Sequence, residues 1–404
     1  MKRILFANHA QFEGRCTNLG DWAIFEQMAD KLFPEIEAGN IEIIVPSSDV
    51  EYTNSHYPVK AFKRGGIAGI FNTLKWIIKS DVVLIGGGEI VQDRSSLVYI
   101  PYQLIRPFIA KILGKKLFGY AIGIGEEEEI SFLGKWQSKL VLNMFDVITV
   151  RDEKSYRVLT EYLNVRKPQI YTTADPALNL KPVAVEMNDD KSFFVVSVRS
   201  VYHRNHNILP FSIRKKLNLV PKEYYDAIDE FKTKIAEMTD SLIDQYGYNV
   251  KFLNTYIGKQ MSASDDAFTT DVINRISSAH QSCVEVIDVN YTPSQNKYVL
   301  SKAEFIVTVP LHPLILGASE NVPVFSLAYA SKNKCFMEQI QHPEHIYAVE
   351  KIEDKINIDK ILADIDFVIE NKKEYVQHLS EVIIQNRLKE TNNSKLLLEL
   401  VKRK

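Results

Sequence analysis

The feature that most constrains the fold is a 27-residue stretch, AEFIVTVPLHPLILGASENVPVFSLAY, at residues 303–329. Its two apolar runs, residues 305–309 and 322–328, are so close that only one short helix fits between them. Such runs are typical of buried parallel strands, so the stretch predicts a strand–helix–strand unit, with Pro313 in the first helical turn. His312 then lies where a strand ends and a helix begins, a position that favours ligands and anions. A histidine that only hydrogen-bonds within a core turn is the alternative.

The same alternation of strands and helices runs through the rest of the chain in two series. The first covers residues 3–172, and the second restarts at residue 193 after a polar, aperiodic segment at residues 182–190. This pattern predicts an α/β protein with two Rossmann-like lobes that face a cleft. We expect an N-terminal lobe over residues 1–180, a C-terminal lobe over residues 191–355, and a helical tail over residues 356–404 that packs back on the first lobe.

Composition excludes several classes of protein. Lys and Arg number 49 and Asp and Glu 51, so no positive excess favours nucleic acid. Three widely separated cysteines fit a reducing compartment better than a disulfide framework or a zinc site. Neither a signal peptide nor a membrane span of roughly 20 apolar residues is evident, so we expect a cytoplasmic protein. The basic stretch with Arg106, Lys111, Lys115 and Lys116 suits a solvated helix face or peripheral contact with the inner membrane surface.

In the first predicted lobe, polar residues and glycines stand where strands end and helices begin. Capping explains Asp21 at a helix start as well as ligand contact does. The motif GGGEIVQD at residues 86–93 directly follows a strand, so its glycines suit a tight turn or a close ligand, but it matches neither a P-loop nor a dinucleotide fingerprint. Arg151 ends a strand, and a salt bridge would explain it equally well. The candidate cleft-lining residues are Asn18, Asp21, Gly87, Gly88, Gln92, Asp93 and Arg151.

Further candidate residues occur on both sides of the predicted linker. The segment GYAIGIG at residues 119–125 predicts a second glycine turn, and the four glutamates at residues 126–129 predict a solvated edge rather than a metal site. In the second lobe, Arg199 ends a strand and Arg204 follows closely. Guanidinium groups there could hold a carboxylate or phosphate through paired hydrogen bonds. Asp265 suits the cap of the next helix.

Set side by side, eight segments resemble the polysaccharide pyruvyl transferase family over most of residues 1–340. They are TNLGDWAI (17–24), GGGEIVQD (86–93), GYAIGIG (119–125), ITVRDEKSYRVL (148–159), TADPAL (173–178), SVR (197–199), the aspartates after Ser264, and LHPLILGASENVPVFSLAY (311–329). The resemblance implies a glycosyltransferase-B-like fold with an acceptor-side first lobe and a donor-side second lobe. It also implies transfer of a pyruvyl group from phosphoenolpyruvate to a sugar of a surface polysaccharide or its lipid-linked precursor, forming a pyruvate ketal.

The implied donor is a small anion, so the site needs cations and a proton-transfer group rather than a metal or a cofactor. His312 matches the family histidine and suits proton transfer near neutral pH. The family carries an arginine two residues before this histidine, whereas this chain has Pro310. Arg199, Arg204 or Lys332 could supply the missing cation, or the donor differs. The alternatives are a glycosyltransferase-like relative with a nucleotide-sugar donor and a non-catalytic glycan-binding relative.

Overall fold

The two predicted series of strands form two separate parallel sheets in the computed structural model. The structure describes residues 1–8, 18–94, 96–187, 190–202, 209, 211–256 and 265–403. Helices cover the sheets and follow the last strand, so the predicted α/β class is confirmed. No helix within these ranges has the length and apolar character needed to cross a bilayer.

The first sheet has seven strands in the spatial order β3-β2-β1-β4-β5-β6-β7. These strands are β1 (Lys2–Phe6), β2 (Ile41–Ser47), β3 (Lys60–Lys63), β4 (Val82–Val91), β5 (Lys116–Ile124), β6 (Val147–Val150) and β7 (Gln169–Thr172). The α-helices that connect them are α1 (Leu19–Glu37), α2 (Val50–His56), α3 (Gly66–Lys79), α4 (Tyr99–Ile112), α5 (Phe132–Leu142) and α6 (Glu153–Arg157). Strand order reverses between β1 and β4, and open parallel sheets bind ligands outside the carboxyl ends of strands at such a reversal.

The second sheet repeats this winding with six strands in the order β10-β9-β8-β11-β12-β13. These strands are β8 (Phe193–Ser197), β9 (Asn249–Phe252), β10 (Val284–Val286), β11 (Ile306–Thr308), β12 (Val324–Ala328) and β13 (Ile346–Ala348). The α-helices of this region are α7 (Phe211–Lys216), α8 (Lys222–Tyr246), α9 (Asp265–Ile273), α10 (Pro293–Leu300), α11 (Leu311–Ala318) and α12 (Ser331–Gln339). The reversal lies between β8 and β11, and β11–α11–β12 is the strand–helix–strand unit predicted from the sequence.

The two glycine-rich segments are strands rather than turns. Strand β4 continues through Gly86 and Gly88 to Val91, and it pairs along its length with β5, which includes the second glycine segment. A Cβ atom on Gly86 would lie 2.0 Å from the carbonyl oxygen of Tyr120, so only glycine permits this approach of the two backbones. The turn predicted for the second segment and the turn considered for the first are therefore both wrong, because the glycines allow close strand pairing.

The C-terminal helices divide between the two lobes. They are α13 (Ile358–Glu370), α14 (Lys372–Glu390) and α15 (Asn392–Lys402). Helix α13 packs against α8, and Ile361 and Ile365 join the core around the second sheet. Leu397 and Leu400 of α15 join the core of the first sheet. Helix α15 therefore packs on the first lobe, whereas the apolar stripe of α13 is buried on the second lobe.

Two hydrogen bonds connect helix α1 of the first lobe to the second lobe. The backbone N–H of Leu19, at the start of α1, donates to the carbonyl of Thr255 at 2.8 Å. The hydroxyl of Ser294, at the start of α10, donates to Glu26 of α1 at 2.5 Å. Helix α1 thus contacts the second lobe at two points along its length, and its N-terminal residues face the cleft.

Candidate active site

A cavity of about 330 Å³ lies where the carboxyl ends of strands from both sheets meet. Its volume is at the lower end of the range for small-molecule sites. The predicted residues on its wall are Asn18, Asp21, Gly87, Gly88, Gln92, Arg151, Arg199, His312 and Lys332. The fold therefore brings most of the predicted residues together from positions as far apart in sequence as Asn18 and Lys332.

The imidazole of His312 packs against a glycine of the opposite lobe. It lies in the first turn of α11, after Pro310 at the N-cap, and its side chain is 15% exposed. A Cβ atom on Gly20, in the first turn of α1, would lie 1.9 Å from Nδ1 of the imidazole. The ring therefore occupies the space that any larger residue at position 20 would need.

A carboxylate from the first lobe faces both a guanidinium and the imidazole. Asp175 is 3% exposed, and its Oδ1 accepts a hydrogen bond from the backbone N–H of Ala177 at 3.1 Å. Its Oδ2 lies 3.3 Å from Nη1 of Arg151 and 3.9 Å from Nε2 of His312. Asp175 was not among the predicted site residues, although it belongs to the segment TADPAL that contributed to the family resemblance.

The guanidinium of Arg151 packs over a glycine of β5, where a larger residue would leave no room for it. A Cβ atom on Gly123 of β5 would lie 2.7 Å from Nη2 of this guanidinium. Nε of Arg151 lies 3.7 Å from Asp152, in addition to the contact with Asp175. The side chain is 6% exposed and lines the cavity. Arg151 therefore forms the salt bridges considered from the sequence and also faces the cleft.

Two groups in the cavity have pKa values shifted in opposite directions. Burial lowers the pKa of His312 to about 4, with Arg151 and Lys332 acting in the same direction and Asp175 opposing them. Burial raises the pKa of the Asp21 carboxyl to about 6, against the charges of Lys332 and Arg151. At neutral pH the imidazole is neutral, and the Asp21 carboxyl is mostly ionised but retains a protonated fraction. Opposite shifts within one cavity are typical of sites that transfer protons.

A larger groove, of about 840 Å³, opens beside α14. Its walls include Asp152, Cys335 and Gln385. We assign the active site to the smaller cavity because it lies at the strand-order reversals of both sheets and contains His312 and Asp21.

A buried ion-pair network on the first lobe was missed by sequence reasoning. Arg94 contacts Glu89 at 2.5 Å and Glu129 at 2.9 Å. Burial would raise the pKa of Glu89, but the Arg94 guanidinium outweighs it and lowers that pKa to about 2. Glu129 also accepts a hydrogen bond from Ser331 of the second lobe at 2.8 Å. The predicted solvated edge at residues 126–129 therefore does not include Glu129, whose side chain is only 13% exposed between the lobes.

Arg199 lines the cavity from the second lobe and remains 30% exposed. Its Nε lies 3.8 Å from Oδ1 of Asp265. The other oxygen of Asp265 accepts hydrogen bonds from the backbone N–H groups of Thr255 and Tyr256 at 3.2 and 2.8 Å. Asp265, predicted as a helix cap, thus binds the chain after β9 and holds Arg199 at the cleft.

Of the remaining predicted site residues, one does not line the described cavity and one lies outside the described residues. Asp93 is 1% exposed and accepts hydrogen bonds from the backbone N–H and hydroxyl of Ser131, the N-cap of α5. This carboxylate therefore anchors a helix start, and its prediction as a cleft-lining residue was wrong. Arg204 lies outside the described residues.

One group of side chains in the described residues has the composition of a metal-binding cluster. It comprises His342, Glu344 and His345, whose potential ligand atoms lie within 4.8 Å of one another. His342 Nδ1 lies 2.9 Å from Glu344, and His345 Nε2 lies 3.9 Å from the same carboxylate oxygen. These residues precede β13 and are not part of the cavity wall.

Several solved structures share this fold at low sequence identity. A putative UDP-N-acetylglucosamine 2-epimerase from Listeria monocytogenes has a TM-score of 0.61 at 12% identity, over 100% of this chain and 96% of that chain. The UDP-GlcNAc 2-epimerase from Neisseria meningitidis, bound to UDP-GlcNAc, has a TM-score of 0.60 at 13% identity, over 99% and 100%. A glycosyltransferase from Rickettsia africae has a TM-score of 0.57 at 11% identity, over 99% and 98%. At these identities the likeness establishes the fold alone.

The two facing lobes and the cleft between them define a glycosyltransferase-B-like fold. No curated protein matches the chain in sequence. The family profile described as "Polysaccharide pyruvyl transferase" matches residues 18–331, and the chain belongs to that family. The family suspected from the sequence is therefore confirmed.

Proposed function

We propose that this enzyme transfers the pyruvyl group of phosphoenolpyruvate to two hydroxyls of a sugar, in a surface polysaccharide or its lipid-linked precursor, and forms a pyruvate ketal. The observation that carries the proposal is the charge of the cavity wall around a neutral imidazole. Five cationic residues line it, namely Arg64, Arg94, Arg151, Arg199 and Lys332, together with the carboxylates of Asp21 and Glu89. Arg94 and Arg151 also pair with Glu129 and Asp175, respectively, behind the wall, whereas Arg199 remains 30% exposed and Lys332 faces the cavity. Such a cavity favours a small polyanion.

The second lobe supplies cations that compensate for Pro310. Arg199 is partly exposed, and Lys332 lies at the start of α12 with its Nζ 5.1 Å from the centre of the Tyr329 ring. Arginine binds carboxylates and phosphates through paired hydrogen bonds, and lysine acts as a point charge. We assign the donor's phosphate and carboxylate to these two side chains.

The reaction needs one proton at carbon and the removal of two protons from hydroxyls. Protonation of the vinyl carbon leaves an oxocarbenium-like carbon, which the first sugar hydroxyl attacks. Phosphate then leaves, and the second hydroxyl closes the ketal ring. Asp21, with its raised pKa, is our candidate acid toward the vinyl carbon, and His312, neutral when the cavity is free, is our candidate base toward the hydroxyls. The bound anion would raise the pKa of His312 and help it to retain a proton.

A phosphate-release assay with phosphoenolpyruvate and a panel of sugar acceptors tests the proposal. We expect acceptor-dependent phosphate release together with a sugar product whose mass has increased by one pyruvate ketal. Release without acceptor measures simple hydrolysis of the donor and serves as the blank. Titration calorimetry with phosphoenolpyruvate and with UDP-sugars distinguishes the nucleotide-sugar alternative. Tight binding of a UDP-sugar without binding of phosphoenolpyruvate would contradict the proposed donor.

Arg199→Ala is expected to weaken binding of phosphoenolpyruvate about 10- to 100-fold, because a charge-assisted hydrogen bond contributes roughly 1.5 to 3 kcal/mol. Titration calorimetry measures this change. Arg275→Ala is the matched control, since it removes a guanidinium of the same lobe that pairs with Asp229 outside the cavity. Equal donor affinity in the two variants would remove Arg199 from the donor site.

Gly20→Ala is expected to lower kcat about 10- to 100-fold, because the added methyl group displaces the imidazole of His312. Alanine is otherwise favourable within a helix, so the helix itself should form normally. Turnover in the phosphate-release assay and the melting temperature should be measured together. A variant with unchanged kcat would show that the position of this ring is not important for the reaction.

A further inference from the structure

Three helices of the first lobe expose large apolar side chains to solvent. On α3, Ile67, Ile70 and Phe71 are 75%, 70% and 67% exposed. Ile112 of α4 and Trp136 of α5 are similarly exposed, at 68% and 59%. Isolated exposed apolar residues are common, but a concentration on adjacent helices marks a binding surface.

The three helices lie on the same face of the first sheet. Their inner side chains, represented by Ile77 of α3, Leu104 of α4 and Leu142 of α5, belong to one buried core beneath them. Helices α4 and α5 also pack against each other. The outward side chains of α3, α4 and α5 therefore share one side of the lobe, which we call the apolar face.

The charge of these segments is entirely of one sign. Residues 60–80, 96–116 and 130–145 contain five, four and two Lys or Arg residues, respectively, and no Asp or Glu, although the whole chain contains 51 acidic residues. Lys75 and Lys79 of α3 are exposed beside its apolar side chains. Two other lysines of these segments pair with carboxylates of neighbouring segments, Lys60 with Glu42 at 3.6 Å and Lys111 with Asp146 at 3.2 Å. The apolar face is thus bordered by positive charge on its own helices, with Lys75 and Lys79 exposed.

We propose that the apolar face binds the anionic surface of a lipid bilayer. Apolar side chains that enter the headgroup region, together with lysines that attract anionic lipids, are the combination that holds an amphipathic surface at a membrane. A second copy of this chain would bring the same positive charges together and is therefore disfavoured. The bilayer satisfies both the apolar and the charged parts of the face.

The apolar face adjoins the mouth of the active-site cavity. Arg64, which precedes α3, and Tyr102 of α4 both line that cavity. A protein bound through this face would hold the cavity mouth next to the bilayer surface, where the sugar of a lipid-linked acceptor lies. This last step rests on the proposed function, whereas membrane binding itself does not.

Co-sedimentation with vesicles tests the proposal. We expect binding to vesicles that contain phosphatidylglycerol, weaker binding to pure phosphatidylcholine vesicles, and loss of binding as salt increases. Phe71→Ser combined with Trp136→Ser should lower partitioning at least about tenfold. Lys75→Gln combined with Lys79→Gln should lower it about 25-fold, at roughly fivefold for each charge. Because these residues lie outside the cavity wall, turnover with a water-soluble acceptor should be unchanged.

Phe367→Ser is the matched control, because Phe367 is 66% exposed on α13, away from the apolar face. It should leave vesicle binding intact. The proposal is overturned if the protein does not bind anionic vesicles, or if both double variants bind as the parent does. It is also overturned if the parent protein is a dimer that does not bind vesicles and the variant with Phe71→Ser and Trp136→Ser is a monomer. The apolar face would then be a contact between two copies of the chain. Failure of the phosphate-release assay with retained vesicle binding would count only against the proposed function.

Discussion

Replacing His312 with asparagine should reduce turnover by about 10² to 10⁴, the usual cost of losing a general acid or base. The fold should be retained, because Nε2 of this buried imidazole has no hydrogen-bond partner among the described residues, and its removal leaves no described donor or acceptor unpaired. The phosphate-release assay measures the rate, and thermal melting checks the fold. Turnover within about threefold of the parent in a normally folded variant would exclude this role.

The pH dependence of kcat/KM should also identify His312 as the base. A neutral base is needed in the free enzyme, so kcat/KM should fall as pH decreases through the His312 pKa of about 4. This acidic limb should disappear in His312→Asn. Burial disfavours the imidazolium in the folded state. Protonation of His312 therefore lowers the stability of the fold as the pH falls below the ordinary pKa of histidine. Circular dichroism at each pH separates that loss of folded protein from the loss of the base.

Asp175→Asn should reduce kcat by about 10² to 10³, because Asp175 is the carboxylate that faces Nε2 of His312 and favours its protonated form. Without that charge the pKa of His312 decreases further, and the acidic limb of kcat/KM should move to lower pH. Asparagine retains the side-chain oxygen that accepts from Ala177, so the local turn is preserved. Steady-state kinetics across pH measure both effects.

Asp152→Asn is the matched control for this variant. Asp152 also lies near Arg151, at 3.7 Å, but its principal contact is the backbone N–H of Ser155 at 2.6 Å, where it caps α6. Its replacement should lower stability by about 1 kcal/mol or less without moving the acidic limb. If Asp152→Asn shifts the pH profile as much as Asp175→Asn does, the effect comes from Arg151 and not from contact with the imidazole.

The fold was predictable because its signals are local. Apolar runs separated by helical segments define both sheets, and strand ends identify His312, Arg151 and Arg199 as candidates. The predictions that failed concerned contacts between segments that are distant in sequence. The need for glycine at position 86 comes from the carbonyl of Tyr120 on the next strand. No local pattern shows which strands become neighbours.

The errors at the site have the same origin. Asp175 stands 137 positions before His312, and only the folded chain brings its carboxylate to the imidazole. Glu129 resembles its exposed neighbours in sequence, yet Arg94 and Ser331 surround it. Asp93 lies within a glycine motif, but its partner is Ser131 of another helix. Acidic residues are difficult to assign from sequence because their environment, rather than their identity, decides their role.

The position of His312 between the two lobes determines when the proton-transfer group is assembled. The imidazole belongs to the second lobe, whereas the glycine that receives it and the carboxylate that faces it belong to the first. Any separation of the lobes would withdraw the base from its counterion and expose it to water. Under the proposed function, a separated pair of lobes would admit phosphoenolpyruvate but would lack the assembled proton-transfer group. Closure would then act as the checkpoint that protects the donor from hydrolysis until both substrates are enclosed.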